Sequence, residues 1–420
     1  MTRASPADPH FKKSISVRIQ RRQLELDVAQ DLFSGHDLDA GTRLLLRTLA
    51  TPEHERRLRV LDLGSGYGPL GLGLKLLNPA REVEMVDRDA LAVEYSRRNA
   101  ERNRMSAVDV HAGLGWSGVR GRDLDLVVSN LPAKAGDRAI RHFLLDGKIH
   151  LKLGGLVAVV VIARLHQLVE GILVPEAGVE VVHRQRAAGY SVFHYGFSSG
   201  GSLAAPSSGE GVQDPFGVYE RASLELAFDD IRYRLRTVYS LPEFDTLAYH
   251  TRLMAGQLLD GRRRPRHVLV FNPGQGHLPV LIGRAFSPDR ITLAGRDLLS
   301  LANAGANLAG NGFPAERVLL RHQTAVLPAD VEGVDLLVAA LRDGQPNVIN
   351  EHELGAALEQ AETGGLKILW VPVRFSAYTE TALQKYQAVI PPDKPLAEMK
   401  GSERDKAWLR ICEEIKKMTA

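Results

Sequence analysis

Three short segments hold the residues best suited to chemistry. The first is Val60 to Gly68, VLDLGSGYG, an apolar run that breaks into a glycine turn containing Asp62, Gly64, Ser65, Gly66 and Gly68. Glycines let a backbone approach a ligand closely, and amides at the start of a following helix are exposed donors. The second is Asp87-Arg88-Asp89, about 20 residues further on, where a carboxylate can take two ribose hydroxyls. Together they suit an adenosine-containing cofactor. A dinucleotide fits less well, because its fingerprint is G-x-G-x-x-G and this loop runs G-S-G-Y-G-P-L-G. Asp62 would also bring a second anion close to a pyrophosphate. A cofactor carrying an ammonium and a sulfonium suits Asp62 better, and S-adenosylmethionine has both.

The third segment is Ser129-Asn130-Leu131-Pro132-Ala133, at the end of another apolar run. An amide oxygen at Asn130 can accept from one N–H of an exocyclic amine. The backbone carbonyl of Leu131, stiffened by Pro132, can accept from the other. The amine's lone pair then faces the methyl group, which is catalysis by orientation with little acid–base work. A plain strand-ending turn is the competing reading. His36, His142, His150 and His194 show no metal-ligand spacing, so no metal is expected. Trp116 reads as core packing, with stacking on a substrate base as the alternative.

These segments need strands that end together. Arg59 to Leu63, Glu82 to Val86, Leu124 to Ser129 and Leu156 to Ile162 read as buried strands; Leu70 to Leu77 and Ala90 to Asn103 read as helices between them. The alternation predicts an α/β fold with a mostly parallel sheet and helices on both faces. Ser14 to Ile19 and Gln23 to Val28 read as a hairpin turning at Gln20-Arg21-Arg22.

The pattern occurs twice. VLVFNPGQG, Val268 to Gly276, repeats VLDLGSGYG 208 residues later. At the same offset Asp87-Arg88-Asp89 meets Gly295-Arg296-Asp297, Asn99 meets Asn307, and Asn103 meets Asn311. A repeat that keeps register through several elements implies two related domains. Residues 1–197 are expected to form the first and 215–420 the second, with the Gly/Ser/Pro-rich stretch 198–214 as a linker. Ser402 to Met418 has helical character and reads as a cover for the second domain's edge. In the second copy Val270, Gly295 and Ala340 replace Asp62, Asp87 and Asn130, so a scaffold or substrate-binding role is expected there. Arg262 to Arg266 is a basic run that reads as solvated surface or as a phosphate contact. Arg97, Arg98, Arg102 and Arg104 carry the same two readings.

Composition narrows the class. With 44% hydrophobic and 25% charged residues, 420 residues describe an ordinary soluble protein of two or three domains. One cysteine, Cys412, excludes a disulfide framework and fits a reducing compartment, here the cytoplasm. The amino terminus has no apolar core of the signal-peptide kind, and the longest apolar run, Leu156 to Ala163, is too short to span a bilayer. A net charge of +3 permits a nucleic-acid partner without requiring one.

The motifs resemble the class I S-adenosylmethionine-dependent methyltransferases. Together with the upstream segment LFSGHDLDAGTRLLL, they are similar to the tandem-domain ribosomal RNA guanine-N2 methyltransferases. The resemblance covers most of Phe11 to Phe197, and its tandem form nearly the whole chain. It implies two tandem Rossmann-like methyltransferase domains, with RNA of the ribosomal class as substrate. It also implies roles for single residues. Gly64, Gly66 and Gly68, with Ser65 between them, would line the methionine and ribose part of the cofactor. Asp62 would support that loop or the amino group. Asp87 would bind the ribose, and Arg88 and Leu114 would flank adenine. Phe33, Asp39 and Thr42 would close the methionine end, and Asn130 to Pro132 would hold the target amine.

Two departures from the family stand out. Asn-Leu-Pro-Ala replaces the usual Asn-Pro-Pro-Phe or Asn-Pro-Pro-Tyr, so Ala133 offers no ring for stacking an extruded base. The intact copy comes first, whereas in the best-known members it comes second. Three readings therefore remain: methylation of an exocyclic guanine amine in ribosomal RNA, methylation of a small molecule or protein, and a non-catalytic cofactor-binding RNA-binding or assembly protein.

Overall fold

The computed structural model describes residues 8, 10–30, 32, 38–198, 216–260, 264–324 and 333–339, with a few more between 394 and 411. Phe33, Ala340 and almost all of the 198–214 stretch lie outside them. Ser402 to Met418 is described only in part, and is helical where it is.

The chain opens with strands β1 (Phe11–Ile19) and β2 (Arg22–Ala29), paired as an antiparallel hairpin. Gln20, at φ 53°, makes its turn. Helix α1 (Ala40–Leu49) follows, then β3 (Arg59–Leu63), α2 (Pro69–Leu77), β4 (Glu82–Asp87), α3 (Ala90–Arg102), β5 (Val108–Ala112) and β6 (Leu124–Asn130). Helix α4 (Asp137–Leu145), β7 (Leu151–Ile162), α5 (His166–Leu173), β8 (Val179–Ala187) and β9 (Tyr190–Phe197) complete the first sheet. These boundaries agree with the alternation read from sequence to within a few residues, β7 excepted, which starts five residues earlier.

The sheet runs β5-β4-β3-β6-β7-β9-β8. Its first five strands are parallel, and β9 is antiparallel to both β7 and β8. Alternate residues of each strand face opposite sides. On one side Val60, Met85, Val128 and Val160 pack with Leu45, Leu72 and Leu91 from α1, α2 and α3. On the other, Tyr195 donates its hydroxyl to the Leu144 carbonyl of α4, and Phe193 packs on His166 of α5. Strand order reverses between β3 and β6. Ligands on open α/β sheets bind beyond the carboxyl ends of the strands at such a point.

A second sheet follows a hairpin formed by β10 (Glu220–Phe228) and β11 (Ile231–Val238). Its elements are α6 (Tyr249–Asp260), β12 (His267–Phe271), α7 (His277–Phe286), β13 (Arg290–Gly295), α8 (Leu298–Gly310), β14 (Val318–His322) and β15 (Leu336–Ala339). All its described pairings are parallel, in the order β14-β13-β12-β15. That matches β5-β4-β3-β6.

The paired asparagines have the same structural task in both sheets. Asn99 accepts from the Asp27 amide at 2.7 Å and donates to the carbonyls of Asp27 and Tyr67. Asn307 accepts from the Arg236 amide at 2.8 Å and donates to the carbonyls of Arg236 and Gln275. Asn103 and Asn311 repeat the pattern one helical turn later, on Glu25 and Arg234. Each pair fastens a hairpin strand to the helix after the second parallel strand. The chain divides into two compact units, one built mainly of residues 1–222 and the other mainly of 223–420.

Candidate functional site

The glycine turn after β3 is bent by backbone that favours glycine. Gly64, Gly66 and Gly68 have φ of +80°, +57° and +90°. A Cβ built on Gly64 or Gly66 would meet nothing within 4 Å, so both face open space. Gly68 differs, because a Cβ there would sit 3.0 Å from Leu72 and 3.2 Å from Ser96 Oγ. Ser65 is buried, and its amide, like that of Gly64, donates to the Val86 carbonyl. Ser96 Oγ donates to the Gly66 carbonyl at 2.8 Å, holding the turn from α3.

The two acids lie at the carboxyl ends of neighbouring strands. Asp62 is fully buried; its Oδ2 accepts from the Gly71 amide of α2 at 2.8 Å, and its Oδ1 has no hydrogen-bond partner. Burial pushes its carboxyl up to about 7; the Gly71 bond opposes this and the Asp87 charge adds to it. Asp87 accepts from the amides of Gly66 (2.8 Å) and Asp89 (2.9 Å), which fixes its carboxylate against the turn. Burial raises it to about 6. The Gly113 amide donates to the Asp87 carbonyl, which brings the loop carrying the buried Leu114 beside it. Arg88 Nη2 lies 3.4 Å from Asp297 Oδ2, within the same compact unit.

Ser129 Oγ donates to the Leu63 carbonyl at 2.6 Å and joins the ends of β6 and β3. The next residue is Asn130. Its Nδ2 donates to Asp39 Oδ2 at 3.0 Å and to Thr42 Oγ1 at 3.2 Å. A carboxylate can only accept, so the nitrogen of the amide must be the atom facing Asp39. The oxygen Oδ1 is thereby turned away from Asp39, and among the described residues it has no hydrogen-bond partner. Asp39 is the N-cap of α1 and accepts from the Thr42 amide at 3.0 Å. Its other oxygen accepts from the Tyr190 hydroxyl at 2.7 Å. Leu131 is buried, and its amide donates to the Val160 carbonyl.

The structure thus brings Asp39, Thr42 and Asn130 into one hydrogen-bonded group, and Asp62, Gly64 to Gly68 and Asp87 into another next to it. Tyr190 is not singled out by the sequence, and nothing in Gly189-Tyr190-Ser191 signals it. Trp116 is core: it is buried, donates to the His142 and Phe143 carbonyls, and stacks on His150 at 5.5 Å. No cluster of residues able to hold a metal occurs among the described residues. The residues present fit S-adenosylmethionine: a buried carboxylate oxygen lacks a partner, and two glycines leave an open approach beside it.

The corresponding turn of the second sheet keeps the backbone and changes the side chains beside it. Asn272, Gly274 and Gly276 have φ of +52°, +61° and +99°. A Cβ on Gly295, the position matching Asp87, would lie 3.0 Å from Asn272 Oδ1.

Comparison with known proteins speaks to the family and the fold. The methyltransferase small domain model matches residues 23–193. Over 157 residues the chain is 30% identical to the uncharacterized protein YbxB of Bacillus subtilis, covering 37% of this chain and 77% of that one. Over 133 residues it is 39% identical to ribosomal RNA small subunit methyltransferase C of Pasteurella multocida, covering 31% of this chain and 39% of that enzyme. The chain therefore spans well under half of the Pasteurella protein. Among solved structures, the T. thermophilus 16S rRNA N2 G1207 methyltransferase, in complex with AdoMet and guanosine, aligns with a TM-score of 0.57 at 18% identity. That alignment covers 79% of this chain and 82% of that one and shows a shared fold. The chain belongs to the methyltransferase small domain family of class I, S-adenosylmethionine-dependent methyltransferases.

Proposed function

We propose that this protein methylates an exocyclic amine of guanine in ribosomal RNA. The observation that carries the reading is the orientation of Asn130. Its amide nitrogen is committed to Asp39 and Thr42, which leaves its oxygen to accept from a substrate N–H. The Leu131 carbonyl, on a backbone pinned to β7 and followed by proline, would accept from the second N–H. An amine held by both N–H groups points its lone pair at the electrophile. Bound, S-adenosylmethionine supplies a sulfonium methyl as that electrophile. Asp62, Gly64, Ser65, Gly66, Gly68 and Asp87 would hold the cofactor, with Arg88 and Leu114 towards its base. Asp39 and Thr42, with Phe33 from outside the described residues, would close its methionine end.

The matching strand orders and the shared asparagine ties support a tandem duplication. On this reading residues 1–197 form the catalytic domain, 198–214 the linker, and 215–420 a domain that keeps the fold without the chemistry. The relatives named for ribosomal RNA support the substrate class. Ala133, which has no ring to stack on a base, favours a second reading in which the amine belongs to a small molecule or protein.

The test compares ribosomal RNA from cells with and without the protein, and from cells carrying Asn130→Ala. Loss of one guanine methyl mark in both altered strains is expected. Identical RNA in all three, with activity on free amines, would transfer the assignment to the second reading.

A further inference from the structure

We infer that Tyr190 is a positioning residue for methyl transfer, fixing through Asp39 which face of the Asn130 amide meets the substrate. The inference rests on the reading that Asn130 accepts the target amine.

The Asn130 amide can be placed in two ways. An asparagine rotated by 180° about its last bond has nearly the same shape but presents two donors in place of an acceptor. A donor facing the substrate's N–H group would repel it. Something must therefore fix the amide, and the fixing group is the Asp39 carboxylate, 3.0 Å from Nδ2. That carboxylate needs an orientation of its own. Oδ2 is held by the Thr42 amide and shared with Asn130. The hydrogen bond to Oδ1 comes from the Tyr190 hydroxyl, at 2.7 Å. Without it only the Oδ2 contacts hold the carboxylate against rotation about its Cβ–Cγ bond, and the hold on Asn130 loosens.

Topology places Tyr190 where it is needed. The parallel strands β6 and β7 deliver their carboxyl ends to the site, Asn130 pairing with Val160. Strand β9 runs the other way, so its first residue, Tyr190, arrives at the same edge opposite Ile162. Gly189 pins the turn before it by accepting from the Ala163 amide at 2.8 Å. Gly41 leaves the ring its room, because a Cβ there would sit 2.6 Å from Tyr190 Cδ1. The Asp39 hydrogen bond pushes the phenol up to about 12, so it remains a donor at neutral pH.

The test is Tyr190→Phe in the full chain, which keeps the ring against Gly41 and removes only the hydroxyl. The Asn130 side-chain amide signals, identified in 15N-labelled protein by their loss in Asn130→Asp, should exchange with solvent several-fold faster. Single-turnover methyl transfer to ribosomal RNA should fall about tenfold, with affinities for RNA and S-adenosylmethionine within about twofold of wild type. Unchanged exchange with an unchanged rate would overturn the inference. A rate loss matched by an equal loss of cofactor affinity would also overturn it, since Tyr190 would then act on cofactor binding. If wild type methylates no RNA, the functional reading has failed and amide exchange alone decides this one. If Tyr190→Phe melts early, Asp39→Asn replaces it: weaker, uncharged acceptance should speed the same exchange, and no change would refute the relay.

Discussion

Replacing Asp62 by asparagine should remove a specific pH dependence of stability. The carboxyl is fully buried, with one hydrogen bond to the Gly71 amide and an unpartnered Oδ1. Burial raises it from 3.8 to about 7. The folded value exceeds the unfolded one, so between about pH 4 and pH 7 the folded protein keeps a proton that the unfolded chain has released. Stability from this group is therefore greatest at low pH and is lost as pH rises through that window. Between pH 5 and pH 8 the loss comes to about 3 kcal/mol. The Asp62→Asn side chain cannot ionise, so the variant should lack this slope while keeping an acceptor for the Gly71 amide. Asp87, raised in the same direction, contributes to both proteins and largely cancels in their difference.

The assay is urea unfolding at pH 5, 6, 7 and 8, with Trp370→Phe and Trp408→Phe in both proteins. Trp116 then reports on the first unit. The wild-type midpoint should fall relative to the variant as pH rises. Saturating S-adenosylmethionine should flatten the wild-type slope, because its cations favour the ionised carboxylate. Parallel curves from pH 5 to pH 8 would show that Asp62 titrates alike in the folded and unfolded chain, and so that burial does not raise it.

Further outcomes follow from the same geometry. Gly66→Ala should cost only about 1–2 kcal/mol of backbone strain, since its Cβ meets nothing within 4 Å, yet weaken cofactor binding at least about tenfold by calorimetry. Gly71→Ala should instead lower the melting temperature, because its Cβ would lie 2.8 Å from Met85 Sδ and 3.1 Å from Asp62 Oδ2. Calorimetry should find one S-adenosylmethionine per chain, lost in Asp87→Ala; a second equivalent would show that the other sheet binds. Asn99→Ala and Asn307→Ala should each destabilise their own unit by about 2–4 kcal/mol in denaturant melts, because each leaves buried backbone groups unpaired. Asn307→Ala should leave cofactor affinity unchanged.

The parallel sheet was legible because buried strands read as unbroken apolar runs and their glycine turns punctuate them. The candidate site could be proposed from sequence where chemically apt residues are consecutive, as at Asp62 to Gly68 and Asn130 to Pro132. Two things were not legible. Asn99 and Asn307 register in the sequence as repeat markers, but their work is to tie a hairpin strand to a helix, a partner 72 residues away in one case and 71 in the other. Tyr190 and Gly41 carry no local signal at all. Their meaning depends on an antiparallel strand returning to the carboxyl edge of a parallel sheet, and no spacing within the chain encodes that return.

The second turn shares its backbone with the first and differs from it in side chains. Its left-handed positions survive, with asparagine at φ +52° where glycine stands at +80°, a substitution that asparagine tolerates better than most residues. The amide bonds survive too: Asn272 N donates to Ala294 O at 2.8 Å, as Gly64 N donates to Val86 O at 2.8 Å. These features belong to the strand–turn–helix itself. What differs is the side chains, and the differences depend on one another. Val270 is buried where the first turn has Asp62. Asn272 then occupies the room beside Gly295, and a Cβ there would lie 3.0 Å from its Oδ1. A side chain at 295 would therefore crowd Asn272. The two turns therefore combine a common backbone with different side chains. The first turn has an unpaired buried oxygen and two open glycines, features that fit a bound ligand.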